Sequence, residues 1–209
     1  MDKFIVLEGL EGSGKSTILK HIKSFFLKKK QEEIVSFREP GGTLVGNKIR
    51  DILLDVSLKN DLHEDTELLL LYASRVELIQ RISFALEKKK WVISDRFYWS
   101  TFAYQGGGRN ISFNKISILN KLFVNISPGL VIYLDVDPIV GLSRIRKNSL
   151  DRIEKEDIDF FFRAREVFLD FVKKKDNAYL VNSNGNLSCV KRKVIEIIDL
   201  HSRKIIENL

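Results

Sequence analysis

The stretch Gly9, Leu10, Glu11, Gly12, Ser13, Gly14, Lys15, Ser16, Thr17 sets glycines, a lysine and hydroxyls at the spacing G-x-x-x-x-G-K-[ST]. That spacing suits a chain of phosphates. Glycines reach positive φ and lack a Cβ, so successive backbone N–H groups can turn inward around an anion. The helix that follows points the positive end of its dipole at the same place. Lys15 then reaches the β- and γ-phosphates of a nucleoside triphosphate such as ATP, and the Ser16 hydroxyl ligates Mg²⁺. A glycine-rich turn that happens to contain Lys-Ser is the plain alternative. The flanks argue against it, because residues 4–7 read as a strand before the loop and residues 16–27 as an amphipathic helix after it.

The elements that must position this loop follow from the rest of the chain. Apolar, β-rich runs recur at 4–7, 34–37, 91–94, 131–134 and 178–181, with helical periodicity in every interval. The runs are continuous rather than alternating, as in strands covered on both faces, so the pattern predicts an α/β fold of five parallel strands with helices on both sides. Residues 186–209 carry apolar side chains near helical spacing and read as a closing helix. In such sheets ligands sit at the carboxyl ends of the strands. The segments there are the loop above, "REPGGT" from Arg38, "DRFYWSTFAYQGGGR" from Asp95, and "DVDP" followed by "RIRKNSLDR" from Arg144 to Arg152. Arginine's planar fork matches phosphate oxygens. These cations are enough for two phosphate-bearing ligands meeting head to head, as in phosphoryl transfer between nucleotides.

Composition bounds the rest. With 209 residues, 44% apolar content and three prolines, the chain can bury one good core and is expected to be a single domain over 1–209. The lone Cys189 cannot form an internal disulfide, and no apolar run approaches the roughly 18 residues of a membrane span. The first residues show no signal-peptide pattern, so a cytoplasmic protein with no membrane partner is expected. Three scattered histidines suggest no zinc site. The net charge of +7 invites nucleic acid as a partner. The lysine triplets 28–30, 88–90 and 173–175, however, each close a helical pattern just before a strand, where they complement the helix dipole. No nucleic-acid partner is expected.

A switch GTPase would need N-K-x-D and D-x-x-G, and neither occurs; no apolar strand ends in Asp-Glu, as a remodelling ATPase would usually show. A small-molecule kinase is the class that fits. The motifs "FIVLEGLEGSGKST", "REPGGT", "LYASRVELI", "DRF...STFAYQGGGR", "YLDVDP" and "LDRIE", in this order and nearly end to end, resemble the bacterial thymidylate kinase family. The resemblance implies a P-loop kinase fold with a short lid at about 144–156, transfer of the γ-phosphoryl of ATP to dTMP with Mg²⁺, and a homodimer. The helical pattern over 67–79, apolar on more than one face, serves the core first and an interface second.

Carried over by resemblance, Glu11 looks toward the acceptor's 3′-hydroxyl, Asp95 lies near Mg²⁺ and Arg96 at the transferring phosphates. Arg38 and Arg50 resemble acceptor-phosphate and pocket arginines. Arg75, Thr101 and Gln105 fall where thymine is read, Tyr104 where a 2′-hydroxyl would clash, and Glu39-Pro40 where a cis peptide is usual. Leu71 stands where the family commonly has a phenylalanine that stacks on thymine; either the base loses its stacking partner, or another aromatic such as Phe102 or Tyr104 closes over it. The phosphate-binding loop holds no arginine, so the family's extra catalytic cation is expected from the lid. Arg144, Arg146, Lys147 and Arg152 are the candidates, with Arg146 and Arg152 the first to test. The lid runs short of the family's usual spacing, which leaves the choice open. A kinase for another nucleoside or nucleoside monophosphate, and a catalytically silent ATP-binding module, are the competing readings.

Overall fold

The computed structural model describes residues 2–30, 32, 34–145 and 150–207. Arg146 and Lys147 lie outside the described residues. The chain runs β1 (Phe4–Glu8), α1 (Lys15–Phe25), β2 (Ile34–Arg38), α2 (Leu44–Leu54), α3 (Glu64–Glu87), β3 (Trp91–Asp95) and α4 (Tyr98–Thr101). It continues through α5 (Phe113–Phe123), β4 (Leu130–Asp135), α6 (Pro138–Arg144), α7 (Ile158–Lys173), β5 (Ala178–Asn182) and α8 (Leu187–Glu207). The five strands form one parallel sheet in the order β2-β3-β1-β4-β5.

The unbroken apolar runs have the cause inferred for them. Successive strand side chains point to opposite faces, and Phe4 and Val6 pack into a cluster with α3 and α7, while Ile5 and Leu7 pack into another with α1 and α8. Ile18 and Ile22 of α1 and Val194 and Ile198 of α8 are fully buried in the second cluster. Leu78 and Ile82 of α3 and Phe161 and Phe168 of α7 are buried in the first. Helix α3 does serve the core, yet Leu69 stays 56% exposed.

Two segments depart from plain α-helix. Helix α1 ends at Phe25, short of the expected 27, and widens into a π-helical segment at Phe26–Lys30. A second π-helical segment, Phe102–Gly108, follows α4. Its glycines are packing residues: a Cβ on Gly107 would lie 2.7 Å from Val167 Cγ2, and one on Gly108 2.4 Å from Phe160 Cε2. Without side chains there, the segment lies directly on α7.

Candidate active site

The phosphate-binding loop leaves β1 and enters α1 through Gly14, whose φ of 90° caps the helix in the left-handed region. Gly12, at φ 69°, is fixed by contact as well as by conformation, since a Cβ there would lie 2.0 Å from the Gly141 carbonyl oxygen of α6. Lys15 Nζ donates to the carbonyls of Gly9 and Leu10, each at 2.8 Å, so its ammonium lies curled over the loop. Burial, reinforced by the Arg96 charge, lowers it to about 8. The hydroxyl of Ser16 is exposed at the first turn of α1 and lines a cleft of about 300 Å³.

Across that cleft stand the cations of β2 and α2. Arg38 is exposed and Arg50 half-buried, with Arg50 Nη1 donating to the Pro40 carbonyl at 2.9 Å. Burial, then the neighbouring Arg38 charge, pushes Arg50 down to about 10. Two guanidiniums that repel each other on one wall make a binding place for an anion. The Glu39–Pro40 peptide between them is cis.

Arg96 lies between the two ends of the cleft. It follows β3 at φ 73°, an uncommon conformation for a residue with a side chain. Its Nη1 donates to Gly9 O at 2.8 Å and Ser100 Oγ at 3.2 Å, and its Nη2 to Glu11 Oε1 at 2.6 Å. Tyr104 donates its hydroxyl to Glu11 Oε2 at 2.7 Å, and the Arg96 guanidinium sits 4.9 Å from its ring centre. Asp95 is buried, and its Oδ1 has no hydrogen-bond partner among the described residues.

The deeper wall is built on α3. Arg75 is buried and its Nε donates to both Glu39 oxygens, at 2.9 and 3.1 Å, while its Nη2 donates to Thr101 Oγ1 at 2.7 Å. Its Nη1 has no partner among the described residues. Leu71 lines the cleft one turn earlier. The aromatics that could replace a stacking ring are engaged elsewhere: Tyr72 donates to Ile116 O in a separate cluster, Phe102 stacks on Phe113 with centroids 6.0 Å apart, and Tyr104 is held by Glu11.

Gln105 is not free either. Its Nε2 donates to Glu67 Oε1 at 2.6 Å, and the same carboxylate accepts from Arg109 Nε at 2.8 Å and Arg152 Nη2 at 2.5 Å. Arg152, expected as a lid cation, is 2% exposed and also donates to the Leu53 carbonyl at 2.8 Å. Its guanidinium therefore belongs to a buried network that ties the segment before α7 to α2 and α3. Arg144 spans from Gly12 O to the carbonyls of Ser183 and Asn184, joining the loop to the end of β5. Glu67 and Arg109 were not singled out from the sequence. The signal available was an acidic residue opening the apolar run "ELLLLY".

Glu8, the last residue of β1, also went unread. It is fully buried and accepts from Phe97 N at 2.9 Å, Ser100 N at 3.3 Å and Ser100 Oγ at 2.6 Å. Burial raises it to about 7 from 4.5, against the Ser100 hydrogen bond and the Arg96 charge that lower it. The folded protein thus keeps a proton that the unfolded chain releases near 4.5, so this group's contribution to stability is present at acid pH and is lost as pH rises through about 7. Glu8→Gln removes that loss. Relative to wild type, the variant is expected to gain up to about 3 kcal/mol of stability between pH 4.5 and 8. Thermal unfolding of both proteins across that range measures the gap, and a constant gap contradicts the assignment.

A parallel sheet that delivers a phosphate-binding loop, an Asp-Arg pair and a second cationic wall to one cleft defines a P-loop phosphotransferase with room for two anionic ligands. Comparison with known proteins agrees. A family model described as Thymidylate kinase matches residues 7–194. A curated Thymidylate kinase of Francisella tularensis subsp. tularensis (strain WY96-3418) is 46% identical over 202 residues, covering 95% of this chain and 96% of the relative. One from Francisella philomiragia is 44% identical, covering 95% and 98%. The crystal structure of thymidylate kinase from Ehrlichia chaffeensis superposes with a TM-score of 0.73 at 31% identity, covering 94% of this chain and 97% of that one. The chain belongs to the thymidylate kinase family.

Proposed function

We infer that this chain transfers the γ-phosphoryl group of ATP to dTMP, giving dTDP for dTTP synthesis, and that it does so in the cleft described above. The observation that carries the reading is one cleft bounded by Lys15 on one side, Arg38 and Arg50 on the other, and Arg96 between them. ATP lies along Gly9 to Thr17 with Lys15 at its β- and γ-phosphates. The dTMP phosphate rests on Arg38 and Arg50, and Glu11 faces its 3′-hydroxyl. Thymine lies against Leu71, with the unpartnered Nη1 of Arg75 free to donate to it and with Thr101 and Gln105 holding that wall. Tyr104, fixed by Glu11, closes the space a 2′-hydroxyl would need.

The acceptor is already an ionised phosphate, so catalysis is positioning and charge neutralisation rather than proton abstraction. Lys15 and Arg96 bind the charge that spreads over the transferring group. Asp95, with one oxygen unpartnered, and the Ser16 hydroxyl fit Mg²⁺, which takes hard oxygens and keeps most of its shell for water and phosphates. Among the described residues no cluster of three or more metal-binding side chains occurs, as such a shared shell allows. When bound, Mg²⁺ neutralises charge on the β- and γ-oxygens. Arg152 can join the phosphates only by releasing Glu67, so the closing cation of the lid falls first to Arg146.

Residues 1–209 act as one kinase domain with a lid at about 144–156. The exposed apolar side chains Ile118, Leu122 and Phe123 of α5 and Leu69 of α3 support a homodimer through these helices. No helix among the described residues is long and apolar enough to cross a membrane, which supports a cytoplasmic enzyme. The lysine triplets lie at the ends of separate helical segments rather than along one groove, which argues against a nucleic-acid partner.

ATP consumption measured against dTMP, dUMP, UMP and thymidine tests the reading. The departure at Leu71 adds a sharper test. Base stacking on an aromatic is worth roughly 1 to 3 kcal/mol, and Tyr72, Phe102 and Tyr104 are all committed elsewhere. Leu71→Phe is therefore expected to lower the KM for dTMP by up to about tenfold with little change in kcat, because stacking helps ground and transition states alike. A raised KM would show a pocket packed around leucine, and unchanged constants would remove Leu71 from the base site.

A further inference from the structure

Arg96 has to be aimed by something. Its left-handed backbone turn is unfavourable for a residue with a Cβ and persists only where neighbouring contacts hold it. Ser94 Oγ donates to the Arg96 carbonyl at 2.7 Å, and the Arg96 amide donates to Leu7 O at 2.8 Å, which fixes the residue on its sheet side. On the other side begins α4, whose N-cap residue, Phe97, offers no side-chain acceptor. Glu8 supplies it from β1. One of its oxygens takes the amides of Phe97 and Ser100, and the other takes the Ser100 hydroxyl, which itself accepts from Arg96 Nη1. A single buried carboxylate does the work that a cap and its partner share at other helix starts.

We propose that Glu8 is the positioning residue for Arg96: through Ser100 and the Phe97 amide it holds both the turn that carries the guanidinium and the hydroxyl that guanidinium rests on. The residue directly before the phosphate-binding loop thereby couples the loop to the arginine it works with, since Arg96 also donates to Gly9 and Glu11. A sub-ångström error at a group meeting the transferring phosphoryl is felt in the rate. The proposal rests on the reading of Arg96 given above.

Steady-state kinetics with ATP and dTMP on Glu8→Gln, Ser100→Ala, the double variant and Arg96→Ala, each beside a thermal melt, test it. Glutamine keeps the shape of Glu8 and one acceptor for the amides, so the fold is expected to stand. Each of the two single variants is expected to lose about tenfold or more in kcat, with the KM for ATP little changed. The double variant is expected to be no slower than the slower single, because both changes break one chain of contacts. If either single turns over within about twofold of wild type, or if the losses multiply in the double variant, the positioning role is overturned. Arg96→Ala separates the two readings: a nearly inactive Arg96→Ala beside an unimpaired Glu8→Gln defeats only the proposal, whereas a fully active Arg96→Ala defeats the reading of Arg96 itself. Should Glu8→Gln not fold, Ser100→Ala and Arg96→Ala, alone and combined, carry the same cycle.

Discussion

Lys15→Ala is expected to lower kcat by about 10²–10³-fold or more while the protein keeps its fold and its affinity for dTMP. The carbonyls of Gly9 and Leu10 that accept from the ammonium also accept from Arg96 Nη1 and from the Ser13 hydroxyl, so its removal leaves neither without a donor. What is lost is the one cation of the loop itself, which the proposed mechanism sets where charge builds up as the phosphoryl group moves. Burial has already lowered its proton affinity, so a bound triphosphate both neutralises the cost of holding that charge and draws the ammonium off the loop carbonyls. Steady-state rates beside calorimetric dTMP binding check the point. A variant that keeps more than about a tenth of wild-type turnover contradicts the assignment of this loop to ATP.

Arg75→Met is expected to fail in two separable ways. Arg75 and Glu39 are both almost fully buried and paired at 2.9 Å. Breaking such a pair leaves an uncompensated charge and costs about 3–5 kcal/mol, which at this chain length lowers the melting temperature by roughly 10 °C. Burial already raises the Glu39 carboxyl against the pull of Arg75, so with the arginine gone Glu39 takes up a proton at higher pH still. The second expected loss is dTMP affinity, since Nη1, which has no partner among the described residues, is the donor proposed for the base. Combining Arg75→Met with Glu39→Leu separates the two. Stability is expected to return in large part, because no orphaned charge remains, and dTMP binding is expected to stay weak. Recovery of both would make Arg75 a scaffold residue only.

Much of the fold could be read from the chain because its cause is local. Each expected strand run lies within an observed strand, and each strand extends one residue further, to Glu8, Arg38, Asp95, Asp135 or Asn182, with β4 also beginning one residue earlier, at Leu130. The reason is the register: Arg38 pairs with Asp95 and Asp135 with Asn182, so the polar residue that opens the site is still part of the sheet. Apolar periodicity ends one position before pairing does. The contacts that hold the site were harder to read. Glu67 meets Arg152 across 85 positions and Glu8 meets Ser100 across 92, and pairings at such separation leave no periodic trace. The glycines of "QGGGR" stand in a segment expected to carry the site, but in the fold Gly107 and Gly108 are the small surface on which α7 lies. Arg152 is one of four lid cations the sequence offers, and its bond to Glu67 has no sequence signal because it depends on where α3 runs.

The most direct test follows the phosphorus atom. The protein is incubated with ATP labelled in the γ-phosphoryl group and an equimolar mixture of dTMP, dUMP, UMP and thymidine, and the labelled products are separated by chromatography. Label is predicted to appear in dTDP before any other product, with little free phosphate, because in the proposed binding mode an acceptor phosphate rests on Arg38 and Arg50 and its base lies against Leu71 and Arg75. Label released as inorganic phosphate at a rate indifferent to the acceptors, or passed first to thymidine or UMP, would contradict the account.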